Sequence, residues 1–154
     1  METVARFSPN VQAQIVGGTD SLEGGRQAAR ELLSSGFDPT AIICVNDFMA
    51  VGVLRQLRDQ GIRVPEDVSV TGFDNIRLAE FCSPALTTVH IPREQIGRII
   101  FENLVPENTS DHLAGQEILI DPELVVREST GVARQTQSIE SNRERTPAGS
   151  PADR

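Results

Sequence analysis

Three pairs of small polar residues have the chemistry to hold a small molecule. Thr19-Asp20, Asn46-Asp47 and Asp74-Asn75 each follow a short stretch that is apolar or β-branched. If these stretches are strands of an open parallel sheet, the pairs lie at its carboxyl edge, where loops and helix N-termini converge on ligands. Carboxylates accept hydrogen bonds and amides both accept and donate them, so the three pairs together suit a polyhydroxylated or nitrogen-rich ligand.

Local structural roles compete with ligand binding at each pair. Asp20 and Asp47 precede predicted helices, where a short oxygen-bearing side chain caps free N–H groups. If Asp47 is the cap, Asn46 has no local duty and is available to a ligand. Asp74 lies in the turn-forming sequence G-F-D-N, which fits a turn as well as a ligand contact.

The residues and spacings that carry catalysis are missing from the sequence. His90 and His112 lie in unlike contexts without metal-ligand spacing, which favours structural or solvated roles. The sequence contains neither a dinucleotide-binding or phosphate-binding glycine motif nor a nucleophile elbow. We therefore expect a protein that is not an enzyme and that uses no cofactor and no metal.

Alternating strand and helix patterns predict the elements that would position the polar pairs. Strands are predicted at residues 12–16, 41–45 and 68–73, with helices at 23–34 and 48–60 between them. The run at 41–45 is continuously apolar, as in a strand buried on both faces of a parallel sheet. Strands separated by helix-length segments indicate βαβ units, so the predicted fold class is α/β with a parallel sheet.

The pattern is looser after the third strand. We predict a helical turn at 77–81, a helix at 93–104, and strands at 86–89, 117–120 and 124–127. From residue 131 onward the chain has too few apolar residues to offset the entropy of ordering. The predicted organisation is one domain over residues 1–130 and a disordered tail over 131–154.

Charge and composition restrict the partners and the compartment. The formal net charge is -8, so the surface as a whole repels phosphate backbones, and we expect no direct contact with nucleic acid. No stretch resembles a signal peptide or a membrane span, which predicts a cytoplasmic location. The two cysteines, Cys44 and Cys82, have the character of free thiols in a reducing compartment.

The predicted second helix is apolar nearly all round in its first half. Phe48 to Leu54 contains no charged residue, whereas the second half regains a polar face. One side must pack on the sheet, and the other needs a second cover. That cover is either another subunit or burial within a larger sheet protein.

These motifs in their order resemble the C-terminal half of LacI/GalR-family repressors. The resemblance is carried by residues 40–75, which include N-D-F-M-A and G-F-D-N, by S-P-A-L-T-T-V-H at 83–90 and by P-E-L-V-V-R-E-S-T at 122–130. It covers roughly residues 10 to 130 through several elements in the same order.

The resemblance implies a periplasmic-binding-protein-like core whose two α/β subdomains close on a sugar or purine-like effector. Effector binding then controls the spacing of two DNA-binding heads in a dimer. Asn46 and Asp74 match positions that contact effectors in the family. Thr19 matches a position that is often aromatic, and Ile91 one that is often polar. Both depart from the pattern, since a threonine offers no aromatic face on which a ligand can stack.

The resemblance also implies a symmetric homodimer that covers the apolar half-helix. On this mapping the interface comprises Ala50, Val51, Leu54, Phe81 and Cys82.

Family members begin with a basic helix-turn-helix, a hinge and an N-terminal subdomain, and this sequence starts after them. Residues 93–120 would belong to that subdomain, so we expect them to lack most of their packing surface. We therefore predict marginal stability for the isolated chain, with an unpaired sheet edge that favours aggregation.

Two functions are consistent with these observations. The first is the effector-sensing and dimerising portion of a transcription regulator, whose DNA-binding head is missing from this chain. The alternative is a stand-alone cytoplasmic module that binds a small molecule such as a sugar and is related to periplasmic solute-binding proteins.

Overall fold

A computed structural model describes residues 11–36, 38–104 and 117–135. The helices and strands follow one another in the order α1 Leu22–Ser34, β1 Ala41–Ile43, α2 Asp47–Asp59, β2 Ser69–Thr71, α3 Arg77–Phe81, β3 Thr88–His90, α4 Arg93–Leu104 and β4 Glu123–Val125. The predicted α/β class is confirmed, and the helices at 23–34, 48–60, 77–81 and 93–104 form within one residue of the predicted bounds.

Two short ladders make up the sheet. β1 and β2 are parallel, with Ile42 opposite Val70. A parallel bridge between Thr71 and Thr87 carries the sheet onward to the segment that enters β3. β3 then pairs with β4 in the antiparallel direction. The predicted parallel arrangement is therefore correct for the first strands, whereas the last pair is antiparallel.

The two long helices pack closely because glycines line their contact. A Cβ atom on Gly52 would lie 2.0 Å from the carbonyl oxygen of Leu22, and one on Gly25 would lie 2.1 Å from that of Met49. No real Cβ occupies such positions, so only glycine permits α1 and α2 to approach this far. α2 ends at Asp59 and is followed by Gly61, whose φ of +72° is the left-handed conformation found just after many helices.

The core lies between α2 and one face of the sheet. Ala50, Leu57, Val70 and Leu86 are almost completely buried there. Cys44 belongs to the same cluster, because alternate residues along an extended chain face the same side.

The prediction that residues 41–45 are buried on both faces is wrong. Ile42 and Cys44 face the core, but Ile43 is 82% exposed and Val45 is 73% exposed. In the described residues, helix α2 packs on β2, and the exposure of Ile43 and Val45 shows that the opposite side of β1 is not covered. A continuous apolar run does not reveal whether a second layer is present to cover it.

The predicted strands at 12–16 and 117–120 are also absent from the structure. Both segments are irregular and mostly exposed. A strand forms only where a neighbour offers a hydrogen-bonding ladder, and β1 has β2 as its only partner among the described residues. The strand predicted at 86–89 forms at 88–90, and the one predicted at 124–127 forms at 123–125.

Helix α4 and the segment around residues 131–134 differ in how closely they contact the rest of the chain. On α4, Ile100 and Phe101 are more than half exposed. Gly131 and Arg134 fall in the predicted tail, yet Gly131 donates to the Ser69 hydroxyl and Arg134 donates to the carbonyl of Asp67 at 2.8 Å. The rest of that tail, residues 136–154, and His112 lie outside the described residues.

Candidate functional site

The carboxyl ends of β1 and β2 place two of the polar pairs side by side. The N–H of Asp47 donates to the carbonyl of Phe73 at 2.9 Å, directly after Asn46 and directly before Asp74. Their adjacency therefore follows from main-chain pairing and does not depend on side-chain conformation.

The loop before α1 brings the third pair to the same edge. The carboxylate of Asp20 accepts a hydrogen bond from the side-chain amide of Asn46. Thr19 lies against the start of α1, where a Cβ on Gly24 would collide with its carbonyl oxygen at 1.9 Å. The structure thus gathers all three pairs at one edge of the sheet, which we call the rim: Thr19, Asp20, Asn46, Asp47, Asp74 and Asn75.

The helix caps are not the residues that the sequence indicated. Ser21 caps α1 by accepting from the N–H of Gly24 at 3.0 Å, and Asn46 caps α2 by accepting from the N–H of Met49 at 2.9 Å. The predicted capping roles of Asp20 and Asp47 are wrong, because each helix begins one residue away from the position that those roles require. Asn46 therefore has a structural role, as the N-cap of α2.

Asp47 is completely buried, and its carboxylate, which we call the brace, connects three elements beneath the rim. Its two oxygens accept from the hydroxyl of Thr88 at 2.6 Å and from the N–H of Ile76 at 2.8 Å. A Cβ on Gly72 would lie 2.2 Å from the Asp47 carboxylate, so glycine is required beside it. The brace joins the first turn of α2, the turn before α3 and strand β3, and sequence reasoning missed it.

Asp74 and Asn75 form a turn in the left-handed region, with φ values of 106° and 50°. Such angles are unfavourable for residues other than glycine, least so for Asp and Asn. The N–H of Asp74 donates to Val89, and an Arg93 guanidinium N–H donates to the carbonyl of Asp74 at 2.6 Å. The turn role and the rim position therefore coexist at Asp74.

Asn75 is held by side chains from β3 and from the segment that follows β4. Its side-chain oxygen accepts from the Arg127 guanidinium at 2.8 Å, and its amide nitrogen lies 3.2 Å from Nδ1 of His90. Its N–H donates to the Thr88 hydroxyl at 3.3 Å, so Thr88 serves both Asn75 and Asp47. The only signal for this network in the sequence is a basic residue inside a strand pattern, at Arg127.

Ile91 follows β3 beside this network and is half-buried. Its carbonyl accepts from the N–H of Arg93 at 2.8 Å. The structure therefore places Ile91 next to the Asp74 turn, where its side chain offers apolar contact and no hydrogen bond.

The residues assigned to a dimer interface divide into two groups. Ala50 is completely buried and Leu54 is 6% exposed within the single chain. Both are already covered by the chain itself, so their assignment to a partner surface is corrected.

The second group remains accessible on the surface of α2 and α3. Phe81 is 68% exposed beneath the guanidinium of Arg77, and Val51 and Cys82 are half-buried. Phe48 and Leu78 add further exposed apolar surface on α2 and α3.

Both cysteine thiols are held in the neutral form. Burial, reinforced by the charge of Asp47, raises the pKa of Cys44 to about 12. Burial also raises the pKa of Cys82, whose thiol donates to the carbonyls of Ala79 and Pro84. Neither thiol has the depressed pKa of a nucleophile or metal ligand.

Other features of the described residues lie away from the rim. A cavity of about 460 Å³ opens at the far end of α2, between Arg58, Ile62 and Pro84. Among the described residues, no cluster of His, Cys, Asp and Glu could hold a metal ion. None of the described helices combines the length and apolar character needed to cross a membrane.

The chain belongs to the periplasmic binding protein-like domain family, whose model matches residues 4–130. Among curated proteins it is similar to the HTH-type transcriptional repressor CytR of Escherichia coli strain K12, with 43% identity over 116 residues. It is also similar to the repressor PurR of Salmonella typhi, with 42% identity over 115 residues. The LacI-type resemblance of the sequence is confirmed.

Solved structures give the same result. A LacI family transcriptional regulator from Arthrobacter sp. FB24 in complex with lactose superposes with a TM-score of 0.70 at 31% identity, over 84% of this chain and 49% of that one. The regulator CelR in complex with cellobiose gives a TM-score of 0.66 at 32% identity, over 81% of this chain and 39% of that one. The CytR and PurR matches cover 75% of this chain, which corresponds to 34% of the length of each repressor.

Proposed function

We propose that this chain senses a small-molecule effector as part of a LacI-type transcription regulator. The observation that carries the proposal is the rim: the Asn46 amide donates to the Asp20 carboxylate, and the main-chain hydrogen bond from Asp47 to Phe73 brings Asp74 alongside. Short carboxylate and amide side chains at the carboxyl edge of parallel strands suit a sugar or a purine-like molecule. The lactose and cellobiose complexes of similar regulators support a sugar.

The proposed partners follow from the same family. DNA binding would reside in a separate head, since the net charge of -8 makes this chain itself a poor ligand for phosphate backbones. Regulators of this kind act in the cytoplasm and are not enzymes, and we extend both properties to this chain. The neutral thiols and the missing catalytic motifs are consistent with that extension.

We further propose a homodimer formed through the exposed apolar surface of α2 and α3: Phe48, Val51, Leu78 and Phe81, with Cys82 at its edge. Exposed aromatic and aliphatic side chains on two adjoining helices favour a protein partner over water. A symmetric pair would bury the same surface on both copies.

Effector binding is tested by ligand-induced stabilisation, because a compound that binds only the folded state raises its melting temperature. Lactose, cellobiose and adenosine are suitable first probes, since they represent sugars and purine-like molecules. Asn46→Ala and Asp74→Ala should abolish the shift, whereas Glu31→Ala, on the exposed side of α1, should retain it. An unchanged shift in either rim variant would remove that residue from the site.

The dimer is tested by sedimentation velocity with two matched substitutions. Phe81→Asp should give monomers, whereas Phe101→Asp, at a residue that is 65% exposed on α4, should leave the association unchanged. Dissociation by neither variant would refute the interface.

The stand-alone binding module remains the alternative in another class. Reading the genomic DNA upstream of Met1 separates the two: an in-frame helix-turn-helix supports the regulator, and a promoter with a ribosome-binding site supports the module.

A further inference from the structure

We propose that Asp20 fixes the orientation of the Asn46 amide, so that the rim offers a hydrogen-bond donor next to an acceptor. This inference rests on the proposed function and assigns a specificity-determining role to a residue for which sequence analysis weighed a helix cap against a ligand contact. Its basis is the contact between the Asp20 carboxylate and the Asn46 side-chain nitrogen.

An asparagine amide has two ends of nearly equal shape and opposite hydrogen-bonding character, so its neighbours must decide which end points where. The N–H of Met49 can only donate, and it holds the Asn46 oxygen at 2.9 Å. The Asp20 carboxylate can only accept, and it holds the nitrogen. Turning the amide over would set two donors against each other at one end and two acceptors at the other.

These two hydrogen bonds determine which polar groups the rim presents to a ligand. Asn46 has a second N–H to donate, and the Asp20 carboxylate has lone pairs to accept with. The complement is an uncharged molecule with a neighbouring acceptor and donor, such as two vicinal hydroxyl groups of a sugar ring or one edge of a nucleobase. A phosphate at neutral pH offers mainly acceptors and is repelled by the carboxylates of Asp20 and Asp74.

Two arginines, Arg93 and Arg127, reach the rim, and their hydrogen bonds there go to Asp74 and Asn75 and not to this pair. The Arg93 guanidinium donates to the carbonyl of Asp74, on the side of the rim that belongs to β3. Asp20 lies instead on the α1 side, where its contact is with Asn46. The donor–acceptor pair therefore selects neutral hydroxylated ligands at its own end of the rim.

Two substitutions separate orientation from charge. Asp20→Asn removes the charge but keeps an oxygen that can accept from Asn46, whereas Asp20→Ala removes the acceptor altogether. Glu31→Ala removes an exposed carboxylate of α1 far from the rim and is the matched control.

The first measurement needs no ligand and uses the side-chain amide resonances of Asn46 in the ¹⁵N-labelled 154-residue chain. Asp20→Ala should move these resonances and speed hydrogen exchange of the amide, whereas Asp20→Asn should change them less and Glu31→Ala should leave them in place. Unchanged Asn46 resonances in Asp20→Ala would overturn the orienting role.

The second measurement is calorimetric titration with lactose, adenosine and glucose 6-phosphate. Asp20→Ala should weaken binding of the preferred neutral probe at least about tenfold, while Asp20→Asn should stay within about threefold of the wild type. The unfolding midpoint of the unliganded chain should not move, which excludes a merely structural effect. Preference of the wild type for glucose 6-phosphate would overturn the selectivity. Failure to bind any probe would count against the proposed function, while the amide resonances would still decide the role of Asp20.

Discussion

Replacing the buried carboxylate of Asp47 should destabilise the chain by about 3–4 kcal/mol. Asp47→Ala leaves the Thr88 hydroxyl and the N–H of Ile76 without their acceptor. An unsatisfied buried donor costs about 1–3 kcal/mol. The Thr88 hydroxyl belongs to a completely buried residue, so its loss of an acceptor should cost toward the upper end of this range. Ile76 is half-buried, so the loss at its N–H should cost toward the lower end.

Two milder variants separate the contributions of the two hydrogen bonds that Asp47 accepts. Asp47→Asn keeps an oxygen for Ile76 and can donate to the Thr88 hydroxyl, which also accepts, so its cost should be about 1 kcal/mol. Thr88→Val removes this donor, together with the acceptor of the Asn75 N–H, while preserving the side-chain shape. Because the two partners share one hydrogen bond, Asp47→Ala combined with Thr88→Val should cost less than the sum of the single changes by about 1–2 kcal/mol.

Urea unfolding followed by circular dichroism measures these free energies, with an unchanged slope as the check that the unfolded state is the same. Ser34→Ala, on the exposed end of α1, serves as a control for handling differences. The reasoning fails if Asp47→Ala lies within about 1 kcal/mol of the wild type, or if Asp47→Asn proves less stable than Asp47→Ala. If the alanine variant does not fold, the asparagine variant and the valine cycle still decide the question.

Three further predictions concern other parts of the fold. Gly52→Ala should prevent close packing of α1 and α2 and lower the free energy of unfolding in urea by several kcal/mol. Gly97→Ala, in open space on α4, should instead raise that free energy by about 0.5–1 kcal/mol. Equal effects of the two changes would refute the close approach of the helices. A hydrogen bond from Arg63 lowers the pKa of Asp67 to about 2, so the stabilisation by this carboxylate is present above its ordinary pKa and is lost as pH falls toward 2. Arg63→Ala should raise that pKa in an NMR titration, and an unmoved pKa would contradict the assigned cause. Because the pKa of Cys44 is about 12, iodoacetamide at pH 8 should label this thiol only in unfolded protein, and rapid labelling of the native chain would contradict its burial.

Marginal stability of the isolated chain remains a prediction, and the structure supplies its physical grounds. Ile43 and Val45 expose one side of the sheet, and β1 has no second neighbour among the described residues. An exposed apolar face beside a free strand edge favours association between chains. A monodisperse sample that unfolds cooperatively on heating would contradict this expectation.

The amino-acid sequence by itself determined the helices, the α/β class and the edge where the polar pairs gather. Those properties depend on apolar periodicity and on the order of elements, both of which are local, and the family motifs N-D-F-M-A and G-F-D-N confirmed the same arrangement. It could not determine which polar residue caps a helix, because Asn46 and Asp47 are adjacent and both have suitable side chains.

Tertiary structure decided how each of those polar groups is used. Asp47 became a buried brace because Thr88 and Ile76, distant in sequence, place two donors around it. Asn46 received a fixed orientation because Asp20 meets it across the rim. Strand formation also depended on tertiary structure. A segment with strand-forming residues becomes a strand only when a neighbouring segment offers backbone groups with which it can hydrogen-bond.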